Sequence, residues 1–358
     1  MSHGNPGHIL TPRDQTTYLA GLSGGGWLVG SIYNNNFSSV QTLRDGFPGS
    51  SVWKFGNSIF EGPERNFQIL STVDYFSSIT RDVEKKMDAG YNASITDYWG
   101  RAISYQLINA PDGGPAYTWS SFALADNFRA GEIPLPILVA DGRAPDETIV
   151  SLNSTVYEFN PWEMGSWDPT TFAFAPLEYV GSNFSSGVVP RGGSCVRGFD
   201  QSGFVMGTSS SLFNSFILYI NATAIPPRLN QIFTNILTTL GSDNNDIAQW
   251  QPNPFFHYNN ATNRNAQAKQ LALVDGGMDL QNIPLNPLIQ PERHVDVIFA
   301  IDSSADTNFN WPDGASMVAT YTRSVNTTIQ NGTAFPAIPD HNTFINKFLH
   351  NFVAKYIF

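Results

Sequence analysis

Cysteine is almost missing. Cys195 is the only one in the chain, which excludes an internal disulfide framework and any zinc site built from several thiolates. Basic residues are scarce as well, with 19 Lys and Arg against 30 Asp and Glu and a net charge of −11. Nucleic-acid binding needs clustered Lys and Arg to meet phosphates, and adsorption to an anionic bilayer needs polybasic segments, so both are disfavoured. A brief visit to a zwitterionic lipid surface stays open. Charge of either sign is low at 14%, where roughly a quarter is usual. No run approaches the ~18 apolar residues of a membrane span. Met1–Leu10 is polar and does not read as an export signal.

What the chain has is apolar and neutral-polar mass. Its 358 residues are 41% hydrophobic and 13% aromatic, with 30 Gly and 23 Pro. That is enough to bury a sizeable core, so disorder is excluded as its main character. Solubility must come from Asn, Ser and Thr, and from sugars if they are attached. Asn-x-Ser/Thr sequons stand at Asn36, Asn92, Asn153, Asn183, Asn221, Asn260, Asn326 and Asn331, a modest excess for such a composition. They favour an extracellular glycoprotein, against the polar start of the chain. Either the chain is not exported or its true beginning lies outside it.

No repeat and no linker divides the sequence. Thr16–Ala20 predicts a short strand running into Gly21-Leu22-Ser23-Gly24-Gly25-Gly26, after which Trp27, Leu28, Ile32 and Tyr33 recur at helical spacing. Phe67, Leu70, Val73, Phe76, Ile79, Val83 and Met87 predict an amphipathic helix over Asn66–Met87. Shorter helical patterns cover Ile95–Ile108, Ser120–Arg129 and Asn230–Leu240. Buried strands are expected at Ile137–Ala140, Leu271–Val274 and Val295–Ile301, and long ordered loops between Asn160 and Gly203. Interleaved helices and buried strands define the α/β class, read as one domain with loop insertions.

Gly21-Leu22-Ser23-Gly24-Gly25 fits Gly-x-Ser-x-Gly. A strand turning sharply into a helix strains its central Ser and calls for Gly two residues either side. The hydroxyl then stands at a helix N-terminus, where the Gly24 amide can help hold a developing oxyanion. The alternative is a glycine-rich helix entry with no chemistry. A nucleophilic Ser needs a base. The histidines are His3, His8, His257, His294, His341 and His350. The order Ser23, then Asp275 or Asp302, then His294 or His341 suits an α/β-hydrolase triad. That fold needs several strands before its serine, however, and only 22 residues precede Ser23 here. Carboxylates are the other option. Asp275 ends Leu271–Val274 and precedes Gly276-Gly277, and Asp302 ends Val295–Ile301 as its chief competitor. Either could instead cap a turn. An ordinary carboxylate is a feeble base toward a hydroxyl, so burial must raise its basicity. Cys195, in Arg191-Gly192-Gly193-Ser194-Cys195, reads as a small core residue or a thiol with a partner elsewhere rather than a nucleophile.

Tyr18–Leu28 resembles the serine elbow of fungal lysophospholipases, also called phospholipase B. Leu273-Val274-Asp275-Gly276-Gly277, Asn282–Leu285 and Pro291–Asp296 resemble their aspartate segment, and Phe159–Trp167 is similar to theirs. The resemblance runs from about Tyr18 to about Phe344. It implies a central mixed sheet between helices with long loop insertions, of the kind shared with cytosolic phospholipase A2 and patatin. It implies a Ser–Asp dyad without histidine, with Ser23 as nucleophile and Asp275 as base. Gly24 and Gly25 would serve the oxyanion, and Arg293 would face a substrate phosphate or form a structural ion pair. The substrate would be a phospholipid or lysophospholipid, met during transient contact with a lipid surface. The family is secreted or held at the cell surface, and no metal or organic cofactor is implied.

Residues 1–358 would be a single but incomplete catalytic domain. The family's upstream Gly-rich segment ending in Arg has no match in Met1–Gln15, and Ile345–Phe358 does not look like the family. Each missing oxyanion donor costs about 2.7–4 kcal/mol of transition-state stabilisation, so a weakly active or inactive chain is expected. The rival readings are a general esterase or lipase, and a secreted pseudoenzyme whose tryptophans (Trp27, Trp53 and Trp99 among them) bind sugars or partners.

Overall fold

The computed structural model of the chain describes residues 16–46, 51–63, 68–145, 147, 149–212, 238, 247–329 and 332–347. The elements that build it begin with strand β1 (Tyr18–Gly21) and helices α1 (Ser23–Asn34), α2 (Gln68–Asp88) and α3 (Ile95–Leu107). Strands β2 (Leu135–Arg143), β3 (Val156–Phe159), β4 (Glu163–Ser166) and β5 (Ala173–Pro176) follow. Helix α4 (Ser202–Ser209), strands β6 (Ala248–Trp250) and β7 (Leu271–Asp275) and helix α5 (Ala315–Ser324) come last.

Leu-Pro-Ile-Leu-Val-Ala at the start of β2 is apolar on both faces, and the strand is buried from Pro136 onward. It is therefore covered from both sides and forms the spine of the sheet. The strand order is β5-β4-β3-β2-β7-β6, with β1 also on β2. β1 runs parallel to β2 while the other pairs are antiparallel, so the sheet is mixed, as expected.

The register explains how two distant residues meet. Leu138 pairs with Phe159 of β3 and Gly21 of β1, and Ala140 pairs with Tyr157 of β3 and Asp275 of β7. A residue has one ladder partner per side, so β1 and β7 share the β2 edge that β3 leaves free. They run toward each other and stop on either side of Val139. The last residues of both strands are thereby placed nose to nose.

Leu138, Ala140, Tyr157, Phe159 and Leu273 join Val29, Val205, Met206 and Trp250 in the main core, which seats α1 and α4 against the sheet. Tyr75, Phe76, Ile79 and Val83 of α2 pack on Tyr98, Ala102 and Tyr105 of α3, as the helical spacing of α2 predicts. The opposite face of the sheet buries ionic groups. Arg323 of α5 donates to Asp168 at 2.6 Å and to the carbonyls of Leu152 and Ser154.

Several expectations change. Val295–Ile301 forms no strand: Val297, Phe299 and Ile301 are exposed, Phe299 by 93%. Among the described residues this run pairs with no strand of the sheet, so its backbone gains no ladder and its apolar side chains no covered face. The loop region Asn160–Gly203 contains β4 and β5, whose apolar and small residues complete the sheet edge. Ser120–Arg129 splits into a tight turn, Ser120–Leu124, and a short helix, Asp126–Arg129. Of Asn230–Leu240 only Thr238 lies within the described residues. Cys195 is exposed rather than in the core. Among the described residues no helix is long and apolar enough to cross a membrane.

Candidate active site

β1 passes into α1 through Leu22 and Ser23. A Cβ on Gly21 would lie 2.4 Å from the Gly25 carbonyl oxygen, so the strand can double back onto the helix only with glycine there. Ser23 has φ +50°, a left-handed conformation uncommon outside glycine and maintained only where the surroundings over-determine it. The crowding is one-sided. Nothing lies within 4 Å of a Cβ built on Gly24 or Gly25, so the expected steric need for glycine on both sides holds at Gly21 alone. Gly24 and Gly25 are exposed, and no side chain caps the start of α1. The helix therefore offers open backbone beside the Ser23 hydroxyl.

Ser23 Oγ donates to Asp275 Oδ2 at 3.0 Å. Asp275 is 3% exposed, and its other oxygen accepts the Gly277 amide at 3.0 Å. Burial raises the Asp275 pKa to about 6, against the opposing hydrogen bonds from Gly277, Ser23 and the Leu212 backbone. Desolvation penalises the charged form more than three donors restore it. The outcome is a carboxylate more basic than an ordinary Asp, held against a hydroxyl. Gly276 makes this approach feasible, because a Cβ there would sit 2.5 Å from the Val139 carbonyl oxygen.

No histidine is hydrogen-bonded to either residue among the described ones. His257 faces Ser185 and His341 faces Asp313, while His3, His8 and His350 lie outside the described residues. Asp302 accepts the Ser304 amide at 3.0 Å and is not bonded to Ser23. Arg293 forms the structural ion pair of its two readings. Its guanidinium meets Glu158 in two bonds of 2.7 and 2.6 Å and lies over the rings of Tyr18 and Trp167. Only 8% of its side chain is exposed.

Two residues at the site had no signal of their own in the sequence. The Ser209 hydroxyl accepts the Ser23 amide at 3.2 Å, and the Leu212 amide reaches Asp275. The run Thr208-Ser209-Ser210-Ser211 at the end of an apolar stretch was the available hint. Of the sequons, Asn36, Asn92, Asn153, Asn183 and Asn260 are exposed and Asn326 is partly buried, while Asn221 and Asn331 lie outside the described residues. Among the described residues no group of three or more His, Cys, Asp or Glu side chains is arranged to hold a metal ion.

Among solved structures the fold is that of human GIVD cytosolic phospholipase A2. The match has a TM-score of 0.65 at 17% identity and covers 90% of this chain and 44% of that one. The sequence model of the family described as the lysophospholipase catalytic domain matches residues 12–354, and the chain belongs to that family. Lysophospholipase 1 of Aspergillus fumigatus is 60% identical over 351 residues, covering 98% of this chain and 55% of that protein. Lysophospholipase 3 of the same species is 59% identical over 344 residues, covering 95% of this chain and 54% of that protein. The lysophospholipase of Penicillium chrysogenum is 56% identical over 342 residues, with 95% and 56% covered. The chain spans about half the length of the curated relatives it matches.

Proposed function

We propose that residues 1–358 form one catalytic domain that hydrolyses fatty-acyl esters of phospholipids or lysophospholipids through an acyl-serine intermediate on a Ser23–Asp275 dyad. The observation that carries this reading is the 3.0 Å bond from the Ser23 hydroxyl to a buried carboxylate of raised basicity, within a chain of the lysophospholipase family.

In the first half-reaction Ser23 Oγ attacks the ester carbonyl carbon and its proton passes to Asp275. The carbonyl oxygen becomes an oxyanion beside the open Gly24 and Gly25 backbone. Collapse breaks the bond to the glycerophospho alcohol, which leaves with the proton from Asp275. In the second half-reaction water gives a proton to Asp275 and attacks the acyl carbon. The fatty acid departs as Ser23 Oγ takes that proton back. No metal or organic cofactor enters the scheme. A pKa of about 6 lets Asp275 be ionised at neutral pH yet still accept a proton.

Exposed Leu28, Met278 and Leu280 stand on the segments that carry Ser23 and Asp275, and exposed Leu212 follows α4 where its amide reaches Asp275; together they support transient contact with acyl chains at a lipid surface. The exposed sequon asparagines support a secreted or cell-surface glycoprotein.

The test is fluorophosphonate labelling read by intact mass, with Ser23→Ala beside the unsubstituted chain, followed by assays on lysophosphatidylcholine, short-chain esters and triglyceride. Labelling that disappears in Ser23→Ala, with lysophosphatidylcholine as the fastest substrate, is the expected result. Faster cleavage of neutral esters would reassign the substrate class. A folded chain that takes no label would overturn the reading for these residues, in favour of the inactive chain that the unmatched upstream segment leads one to expect.

A further inference from the structure

Ser209, the last residue of α4, is fully buried and touches all three pieces that meet at the site. Its hydroxyl accepts the Ser23 amide at 3.2 Å and donates to the Val139 carbonyl at 2.7 Å. Its own carbonyl accepts the Gly276 amide at 3.3 Å. Val139 is the β2 residue in the gap between the ends of β1 and β7, so Ser209 fills the point where the two strands stop short of each other.

The direction of this relay follows from what each group can do. A carbonyl only accepts and an amide only donates, so the single hydroxyl proton goes to Val139 and a lone pair faces Ser23. The Ser23 amide lies in the first turn of α1 and has no partner inside the helix. Water would ordinarily meet it, because an N-cap side chain reaches the amides one or two residues further on, and no side-chain cap forms here. Ser23 also keeps the left-handed φ of +50°, which needs outside support. The one direct tether from that amide to the central strand runs through Ser209.

We propose that Ser209 is a positioning residue for the nucleophile: its hydroxyl ties the strained backbone of Ser23 to β2 and so aims the Ser23 hydroxyl at Asp275. It acts through Ser23 and touches no reacting atom. With the Ser23 amide turned to Ser209, the neighbouring Gly24 and Gly25 amides are the ones left open toward the substrate side. The inference rests on the reading of Ser23 as the nucleophile.

Thr208 supplies a matched comparison. Its hydroxyl is equally buried, donates to the Phe204 carbonyl at 2.8 Å and accepts the Trp250 indole N–H at 3.1 Å. It makes as many bonds as Ser209 without touching the site. Ser209→Ala and Thr208→Val should therefore lose comparable structural bonding. The experiment measures fluorophosphonate labelling rate, kcat and KM for both variants and the unsubstituted chain, with melting temperature as the folding control. Ser209→Ala should lower the labelling rate and kcat about 10–100-fold with KM little changed, because misplacing a nucleophile costs rate rather than binding. Thr208→Val should keep the unsubstituted labelling rate and kcat. If Ser209→Ala does not fold, Ser209→Cys fills the site with a slightly larger, weaker acceptor and is read in the same way. Equal rates in the two variants would overturn the role of Ser209 while leaving Ser23 as nucleophile. An unsubstituted chain that is not labelled at Ser23 would remove both readings together.

Discussion

Two runs of this chain look alike on paper. Leu271-Ala272-Leu273-Val274-Asp275 and Val295-Asp296-Val297-Ile298-Phe299-Ala300-Ile301-Asp302 are both short, apolar and ended by an aspartate. The first is β7, hydrogen-bonded between β2 and β6, with Leu271 and Leu273 fully buried. The second is irregular and leaves Phe299 and Ile301 in solvent. A strand is a property of a pair, because each backbone group needs a partner across the ladder. β7 pairs with β2 on one side and β6 on the other, and Val295–Ile301 pairs with no strand among the described residues. The same difference separates the two carboxylates. Only Asp275 is carried to the gap where β1 ends, and there burial raises its basicity against a waiting hydroxyl.

The largest expected break in this contrast is chemical. Asp275→Asn should reduce kcat/KM by about 10²–10⁴-fold, the usual contribution of a general base, whereas Asp302→Asn should stay near the unsubstituted value in the same ester assay. A loss of similar size in Asp302→Asn would mean the wrong carboxylate has been assigned. Packing comes next. Leu273→Ala should cost about 2–5 kcal/mol in a denaturant melt, from lost burial and a residual cavity.

A stability gain of similar size should accompany the loss of activity at Asp275. Its folded pKa of about 6 stands above the ordinary 3.8, so the folded chain holds that proton more tightly than the unfolded one. The resulting stability is fully present below pH 4. It falls as pH rises from about 4 to about 6, and stays lost above. The difference is on the order of 3 kcal/mol. Asp275→Asn cannot ionise, so it should melt above the unsubstituted chain at pH 7 and level with it at pH 3. The same titration should appear in kinetics, with kcat/KM rising about tenfold per pH unit below a midpoint near 6 and levelling above it. The smallest effect belongs to the exposed run: Phe299→Ala should change the melt by no more than about 0.5 kcal/mol. A cost near that of Leu273→Ala would show that Phe299 is covered in solution.

Much of this molecule was legible in its sequence because the relevant forces are local. Helical spacing of apolar residues marks a face that must be buried, so α2 and α3 fall within two residues of their expected bounds. Gly-x-Ser-x-Gly announces a strained turn by its glycines, and the contact at Gly21 shows the reason. The acidic balance and the shortage of Lys and Arg disfavour polyanion partners without any coordinates. The hairpins β3–β4 and β4–β5 were hidden within Pro- and Gly-rich sequence, because strands of four residues carry too little periodicity to read.

Tertiary structure alone decided the rest. Which of two apolar runs entered the sheet depended on the partners that distant parts of the chain brought beside it, and no residue within either run carries that information. Whether Arg293 faced solvent or Glu158 depended on a residue 135 positions away. The Ser209 hydroxyl acquired its place only when α4, β1 and β7 closed on Val139. Composition and spacing set what each segment prefers by itself. Partnership, burial and the basicity that follows from burial arise only when segments far apart in sequence compete for the same edge and the same dry space.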